Sequence, residues 1–242
     1  MSARATPSFF RGIASLLYPP SCTICSASVD LGEYLCGECE AKVSRIVAPF
    51  CTKCSEPFDG AITTTFACAN CAHRVLHFDA AVSAFRSRGI VRHVILNFKY
   101  GRQTHLRHLV ARWLVAALDD ERLRQRRFDA IVPVPLHPAK LRERGFNQAA
   151  LLAEWLSAHM ALQLRPVLQR VRFTTTQTAF DRSERMQNLR NAFRLRKNAD
   201  VRKSRVLLID DVLTTGSTLS ECARVLKEAG AQSVYAATAA RA

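Results

Sequence analysis

The sequence predicts an α/β protein whose parallel sheet is flanked by helices and preceded by a small cysteine-rich module. Eight of the nine cysteines form four C-x-x-C pairs within the first third of the 242-residue chain. After them, short apolar runs alternate with segments of helical periodicity, which is typical of parallel strands joined by helices. We therefore divide the chain into an N-terminal lead (1–20), a metal-binding module (21–75) and an α/β domain (76–242).

The lead is basic, lacks acidic side chains and carries apolar side chains at helical spacing. Arg11 interrupts the apolar stretch and no small-residue cleavage site follows it, which argues against a secretory signal peptide. We expect a helix that packs on the metal-binding module, with an organelle presequence as the alternative. No apolar run in the chain has the length of a transmembrane helix.

The C-x-x-C pairs indicate structural zinc sites in the cytoplasm. A secreted disulfide framework spreads its cysteines at varied spacings, whereas repeated C-x-x-C pairs favour metal binding in a reducing compartment. Four thiolates complete a tetrahedral zinc site, so each half of the module can hold one ion. Sequential and interleaved pairings both use all eight cysteines, and the spacing is also consistent with a single occupied site. An iron–sulfur cluster is the alternative to zinc. The candidate ligands are Cys22, Cys25, Cys36, Cys39, Cys51, Cys54, Cys68 and Cys71.

Apolar patterning predicts the elements of the α/β domain in order. The expected strands span 78–85, 129–136, 206–209 and 233–239, and the expected helices span 89–98, 104–118, 147–160 and 218–229. The run at 206–209 is apolar on both faces, as in a strand covered by helices on each side. Residues 170–196 are rich in Arg and poorly patterned, and Cys222 is expected to be a small core residue.

The segment VLLIDDVLTTGST (206–218) joins a buried strand, two acids, a polar loop and a helix start. Ligands of parallel α/β sheets bind beyond the carboxyl ends of strands, where this loop is expected. Its N–H groups, its hydroxyls and the helix N-terminus can wrap a phosphate. The acids suit ribose hydroxyls instead, directly or beside a metal. The candidate residues are Asp210, Asp211, Val212, Leu213, Thr214, Thr215, Gly216, Ser217 and Thr218.

Other phosphate-binding motifs are missing from the sequence. The nine glycines form no G-x-G, which excludes the dinucleotide fingerprint, and no G-K-[ST] occurs, which excludes the Walker A loop. The formal net charge of +15 favours polyanionic ligands such as nucleic acid, phosphorylated metabolites or an anionic membrane surface. A GC-rich genome would give the same Arg usage without any such ligand.

VLLIDDVLTTGST resembles the motif with which type I phosphoribosyltransferases bind 5-phosphoribosyl-1-pyrophosphate (PRPP). The resemblance implies that Asp210 and Asp211 contact the ribose 2′ and 3′ hydroxyls, that residues 214–218 hold the 5′-phosphate, and that magnesium accompanies PRPP. VPVPLHP (132–138), RGFNQ (144–148) and the cysteine module resemble the competence-related ComF family, over nearly the whole chain. Membership in that family would imply a double zinc ribbon followed along the chain by a type I phosphoribosyltransferase fold, and a role in DNA uptake or use.

The same resemblance implies a pyrophosphate site at the end of the strand at 129–136, and a mobile lid within the Arg-rich segment. Arginine suits pyrophosphate because its planar guanidinium donates paired hydrogen bonds. Solvated helix charges and a basic connector are the alternative interpretations. The candidates are Pro133, Val134, Pro135, Arg142, Arg144, Lys99, Arg182 and Arg185.

Two functions remain as hypotheses. In the first, the protein is an enzyme in which Asp210 and Asp211 assist transfer of a phosphoribosyl group from Mg-PRPP to a nitrogen nucleophile, with release of pyrophosphate. No residue in the sequence points to a particular acceptor. In the second, the zinc module and the Arg-rich surface bind single-stranded DNA, proteins of DNA uptake are partners, and the PRPP pocket serves as a sensor.

Overall fold

The computed structural model describes residues 19–60, 65–173 and 189–242. The chain divides into two compact units between Val43 and Ser44, so the boundary falls between the two halves of the cysteine module. The predicted lead helix lies outside the described residues, apart from Pro19 and Pro20. No helix among the described residues is long and apolar enough to cross a membrane.

The first unit carries the first two C-x-x-C pairs and is built on a tight turn. The Cys22 N–H donates to the Ala27 carbonyl and the Ser26 N–H donates to the Cys22 carbonyl, with Ser26 at a φ of 62°. Helix α1 (Gly37–Ala41) follows, and Cys36 is its N-cap residue. The turn and the helix start therefore bring two C-x-x-C pairs together.

The second unit begins with a copy of that arrangement. The Cys51 N–H donates to the Glu56 carbonyl, the Ser55 N–H donates to the Cys51 carbonyl, and Ser55 has a φ of 58°. Helix α2 (Ala69–Ala72) has Cys68 as its N-cap residue. The duplicated C-x-x-C pattern of the sequence thus corresponds to a duplicated backbone geometry.

A four-stranded parallel sheet forms the centre of the second unit, as predicted. The strands are β1 (Ala81–Arg86), β2 (Ala130–Pro133), β5 (Arg205–Leu213) and β6 (Ser233–Arg241). Their order in the sheet is β1-β6-β5-β2. Because every pair is parallel, the carboxyl ends of β2 and β5 lie at one edge of the sheet.

Helices cover both faces of this sheet. They are α3 (Gly89–Tyr100), α4 (Arg107–Leu118), α5 (Glu121–Arg124), α6 (Pro138–Arg144), α7 (Gln148–Met160) and α8 (Ser217–Glu228), with a 3₁₀ turn at Thr104–Leu106. Leu219 and Cys222 of α8 share a core with Val206 and Leu208 of β5. Side chains alternate along a strand, so the residues between these project to the opposite face, where α4 and α7 pack.

A small antiparallel hairpin pairs β3 (Leu168–Arg170) with β4 (Phe193–Leu195). These strands flank the Arg-rich segment, which the sequence had shown only as poorly patterned. Three-residue strands carry too little alternation to be recognised from sequence. Residues 174–188, which include the lid candidates Arg182 and Arg185, lie outside the described residues.

Candidate functional site

The carboxyl end of β5 leads through a three-residue loop into the N-terminus of α8. The strand ends at Leu213 and the helix begins at Ser217, with Gly216 as its N-cap residue. Gly216 has a φ of 76°, which a side chain would strain. A helix N-terminus that follows a strand in this way presents backbone N–H groups and a favourable dipole to an anion.

Side chains along this segment have different degrees of exposure. Thr214 is exposed, Thr215, Thr218 and Val212 are half-buried, and Ser217 is buried. The side chain of Leu213 belongs to the hydrophobic core, so only its backbone can take part in ligand binding. The loop hydroxyls and N–H groups are the parts of the predicted set that can face a phosphate.

The two acids at the end of β5 have different environments. Asp210 is half-buried, and its Oδ1 accepts a hydrogen bond from the Asp211 N–H at 2.9 Å. Burial, together with the charge of Asp211, raises the pKa of Asp210 to about 8. Asp211 is almost fully buried, and its Oδ2 lies 2.6 Å from the Nζ of Lys99 on α3. Asp210 is therefore the carboxyl group more available to a ligand.

Lys99 forms an ion pair with Asp211 in which the carboxylate is buried and the lysine is half-buried. Burial is the largest influence and by itself lowers the pKa of the Lys99 ammonium, but the charge and hydrogen bond of Asp211, together with the charge of Asp210, raise it overall. The lysine is therefore held charged beneath the strand end. The sequence grouped Lys99 with the pyrophosphate candidates, whereas the structure places its ammonium on Asp211, one of the two acids of β5.

The end of β2 lies beside the end of β5. Pro133 closes the strand, and the Val134 N–H donates to the Ile209 carbonyl at 2.9 Å, which extends the pairing by one residue. The Asn147 side chain donates to the Val134 carbonyl at 3.0 Å and accepts from the Ala149 N–H as the N-cap of α7. Asn147 therefore links the segment of residues 133–135, in which Pro135 is also buried, to the helix behind it.

Arg142 and Arg144 line a cleft of about 460 Å³ at the end of α6. Arg102, Thr104 and Glu143 line the same cleft, so its lining holds three arginines and one acid. The Arg144 guanidinium lies 4.9 Å from the centre of the Tyr100 ring and donates to the Gln148 side chain at 2.6 Å. The cleft is therefore cationic and suits an anionic group.

Arg170, at the end of β3, adds positive charge near the acids. Burial lowers the pKa of Arg170, and Asp210 acts in the opposite direction. Burial also lowers the pKa of Lys140, and the charges of Arg170 and Arg144 lower it further. Sequence reasoning did not single out Lys140, and it treated Arg170 only as part of the lid segment.

The eight cysteines of the C-x-x-C pairs form two groups in sequential order, which settles the pairing that the spacing left open. Within each group all four Sγ atoms lie within 4.8 Å of one another. The Cys25–Cys36 and Cys54–Cys68 sulfurs are 3.6 Å apart. A tetrahedral ion with Zn–S bonds of about 2.3 Å requires sulfurs about 3.8 Å apart, so both groups fit structural zinc.

Two further residues contact the loop before α8, and the sequence gave no indication of them. Asn70 lies in α2 between two zinc-ligand candidates, and Arg74 follows that helix. Both donate hydrogen bonds to the Thr215 carbonyl, and Arg74 also donates to the Ser217 hydroxyl. More than 140 positions separate the partners, and local patterning carries no signal for such a contact.

Comparison with known proteins identifies both parts of the chain. The double zinc ribbon domain family matches residues 13–72, and the phosphoribosyl transferase domain family matches residues 147–242. Among solved structures, the glutamine PRPP amidotransferase from B. subtilis aligns with 52% of this chain and 24% of its own, at 18% identity and a TM-score of 0.34.

Similar proteins cover almost the full length of the chain. Competence protein F of Haemophilus influenzae is 33% identical over 91% of this chain and 96% of its own. The DNA utilization protein YhgH of Escherichia coli K12 is 30% identical over 90% and 96%, and Competence protein ComFC of Streptococcus pneumoniae is 26% identical over 83% and 84%. The predicted family and fold class are confirmed: the chain belongs to the family of Competence protein F and YhgH, with a double zinc ribbon and a phosphoribosyltransferase-type domain.

Proposed function

We propose that the protein binds Mg-PRPP at the carboxyl end of β5 and transfers its phosphoribosyl group to a nitrogen nucleophile. The observation that carries this proposal is the arrangement of a half-buried carboxyl group, Asp210, immediately before a hydroxyl-rich loop at a helix N-terminus. The loop of residues 214–218 would hold the 5′-phosphate, and Asp210 would accept hydrogen bonds from ribose hydroxyls. Asp211 would act through its ion pair with Lys99, which fixes the strand end.

The pyrophosphate would lie towards the end of β2, where cationic side chains gather. Lys140 lies close enough to Arg170 and Arg144 to feel their charges, and Arg170 lies near Asp210. Magnesium bound with PRPP would offset the charge of the leaving pyrophosphate. The bond from the anomeric carbon to the pyrophosphate oxygen breaks, the nitrogen lone pair forms the new bond, and the nitrogen then loses a proton. Positioning of the reactants and stabilisation of the leaving anion would supply the catalysis.

Release of pyrophosphate tests this transfer directly. Zinc-loaded protein would be incubated with Mg-PRPP and a panel of nucleobases and amines, with Asp210→Asn as the matched variant. We expect pyrophosphate release with at least one acceptor, and a loss of release in the variant. An absence of release across a broad panel would refute the transferase activity while leaving PRPP binding to be measured by itself.

Single-stranded DNA is a second candidate ligand. The formal net charge of +15 supports it, as do the names of the similar proteins, which refer to competence and DNA utilization. In this role the protein would act in the cytoplasm with other proteins of DNA uptake. Anisotropy of a labelled oligonucleotide should fall steeply between about 50 and 200 mM salt, as expected when phosphate contacts release counterions. Binding that is already absent at the low end of that range would make the charge incidental.

A further inference from the structure

The second zinc ribbon contacts the loop that is proposed to hold the 5′-phosphate. Asn70 Nδ2 donates to the Thr215 carbonyl at 3.2 Å. Arg74 Nη2 donates to Ser217 Oγ at 2.9 Å, and Arg74 Nη1 donates to Asn70 Oδ1 and, at 3.4 Å, to the Thr215 carbonyl. Asn70 is only 9% exposed. The ribbon and the loop belong to the same compact unit.

The direction of these hydrogen bonds matters for a phosphate ligand. A guanidinium can only donate, so Ser217 Oγ accepts from Arg74 and keeps its own proton to donate. Thr215 Oγ1 lies 2.9 Å from Ser217 Oγ and also accepts from the Ser217 N–H at 3.4 Å. Either hydroxyl can donate in the 2.9 Å contact between them, and in both cases one of the two hydroxyl protons stays available to an anion.

The position of Arg74 depends on the metal-binding fold around it. Helix α2 begins after Cys68 and contains Cys71, and both thiols belong to the second four-cysteine group. The segment after Arg74 is also attached to α8, because the His77 N–H donates to Ser220 Oγ at 3.1 Å. Zinc at the second group would therefore fix the helix from which Asn70 and Arg74 reach the loop.

We propose that Asn70 and Arg74 are positioning residues of the phosphate loop, so that the second zinc ribbon is a structural part of the 5′-phosphate site. This inference rests on the proposed function, because it assigns a role to residues around the same loop. It also predicts different roles for the two ribbons: the second controls the affinity of the loop for phosphate, and the first does not. The pyrophosphate end of the ligand, which is proposed to lie at β2, should not depend on Arg74.

Calorimetry with two partial ligands tests the inference. The full zinc-loaded chain would be titrated with ribose 5-phosphate and, separately, with pyrophosphate. We expect Arg74→Ala to weaken the binding of ribose 5-phosphate by roughly tenfold, which is the effect of losing one charge-assisted hydrogen bond. The affinity for pyrophosphate should stay unchanged. Arg74→Lys keeps the charge and one donor and should recover part of the loss. Arg202→Ala, which removes an exposed arginine paired with Asp200, is the control.

If Arg74→Ala weakens the binding of both ligands equally, or does not weaken the binding of ribose 5-phosphate, the inference is overturned while the proposed function stays intact. If the wild-type protein binds neither ligand, the proposed function fails as well, so the two failures are distinguishable.

The zinc requirement has its own matched pair of variants. Cys71→Ser removes a thiol from the second group, and Cys25→Ser removes one from the first. Zinc content and ribose 5-phosphate affinity would be measured for both proteins. We expect a lower zinc content in each, but weaker ribose 5-phosphate binding only in the Cys71 variant. Similar affinities in the two variants would show that the second ribbon does not control the loop.

Discussion

Asp210 and Asp211 are adjacent in sequence, yet their side chains have different surroundings. One is half-buried beside the loop, and the other is almost fully buried against Lys99. The acid pair is recognisable from sequence because of its position before the polar loop. The division of roles is not, because Lys99 lies 112 positions before Asp211 and nothing local connects them.

Replacement of Lys99 by Met should destabilise the protein, because it leaves the Asp211 carboxylate buried without its partner. We expect the free energy of unfolding to fall by roughly 3 kcal/mol in urea denaturation. The double variant Lys99→Met, Asp211→Asn should be less destabilised than the single one, since it no longer buries an unpaired charge. A single variant as stable as the wild type would contradict the importance of this ion pair.

Binding of PRPP should strengthen as pH rises through about 8, the pKa that burial gives Asp210. Below that pH the group is protonated, and a carboxylic acid accepts hydrogen bonds from ribose less well than a carboxylate. The free energy of unfolding should instead fall as pH rises from about 4 to about 8. Over that range Asp210 keeps its proton in the folded state but has lost it in the unfolded state. Calorimetry from pH 6 to 9 would test the binding.

Asp210→Asn is the control for this pH profile, since its amide does not titrate. Any rise in affinity that remains in the variant belongs to the ionisation of PRPP itself. A profile that is identical in the two proteins would contradict the assignment.

At the scale of elements, the patterning of the sequence located the buried core of β5 but not its length. The strand was predicted at 206–209, and it extends to Leu213 because parallel pairing with β6 continues past the acids, with Asp210 opposite Thr238. Acidic residues are rare in strands, so sequence propensity ends the predicted strand before Asp210. The observed pairing with β6 continues past both acids. The helix start after Gly216 was predicted to within one residue because the loop itself marks it.

Asn147 joins two elements of the site, and its replacement should affect both. Asn147→Ala removes the N-cap of α7 and the hydrogen bond to the Val134 carbonyl, so we expect a loss of roughly 1–2 kcal/mol in unfolding free energy and weaker pyrophosphate binding. Asn147→Ser keeps a capping oxygen but lacks the amide donor. It should recover stability more than affinity. Full recovery of both would refute a role for the contact with Val134.

At the scale of the whole molecule, the cysteine spacing predicted the zinc-ribbon module, but it could not choose between sequential and interleaved pairing. That choice depends on the backbone turns at Cys22 and Cys51. The first turn brings the first C-x-x-C pair close to the second, and the other brings the third pair close to the fourth. The contacts from Asn70 and Arg74 to the loop lay beyond prediction for the same reason. They depend on how the second ribbon packs on the sheet domain, which no local pattern describes.

Metal analysis should find two zinc ions in each chain. Chelation at neutral pH should lower the melting temperature, because four-thiolate zinc sites contribute directly to folding. Acidification should release the zinc, because protons compete with the metal for the cysteine thiolates. One zinc ion for each chain would contradict the occupancy of both groups.

A calorimetric titration with Mg-PRPP tests the central claim most directly, with Asp210→Asn as the variant, because removal of Asp211 would leave Lys99 buried without its partner. Above the pKa of Asp210, which burial raises to about 8, we predict micromolar binding to the zinc-loaded wild type and a large loss of affinity in the variant. An absence of binding by folded, zinc-loaded protein, or equal binding by the two proteins, would contradict a PRPP site at the end of β5.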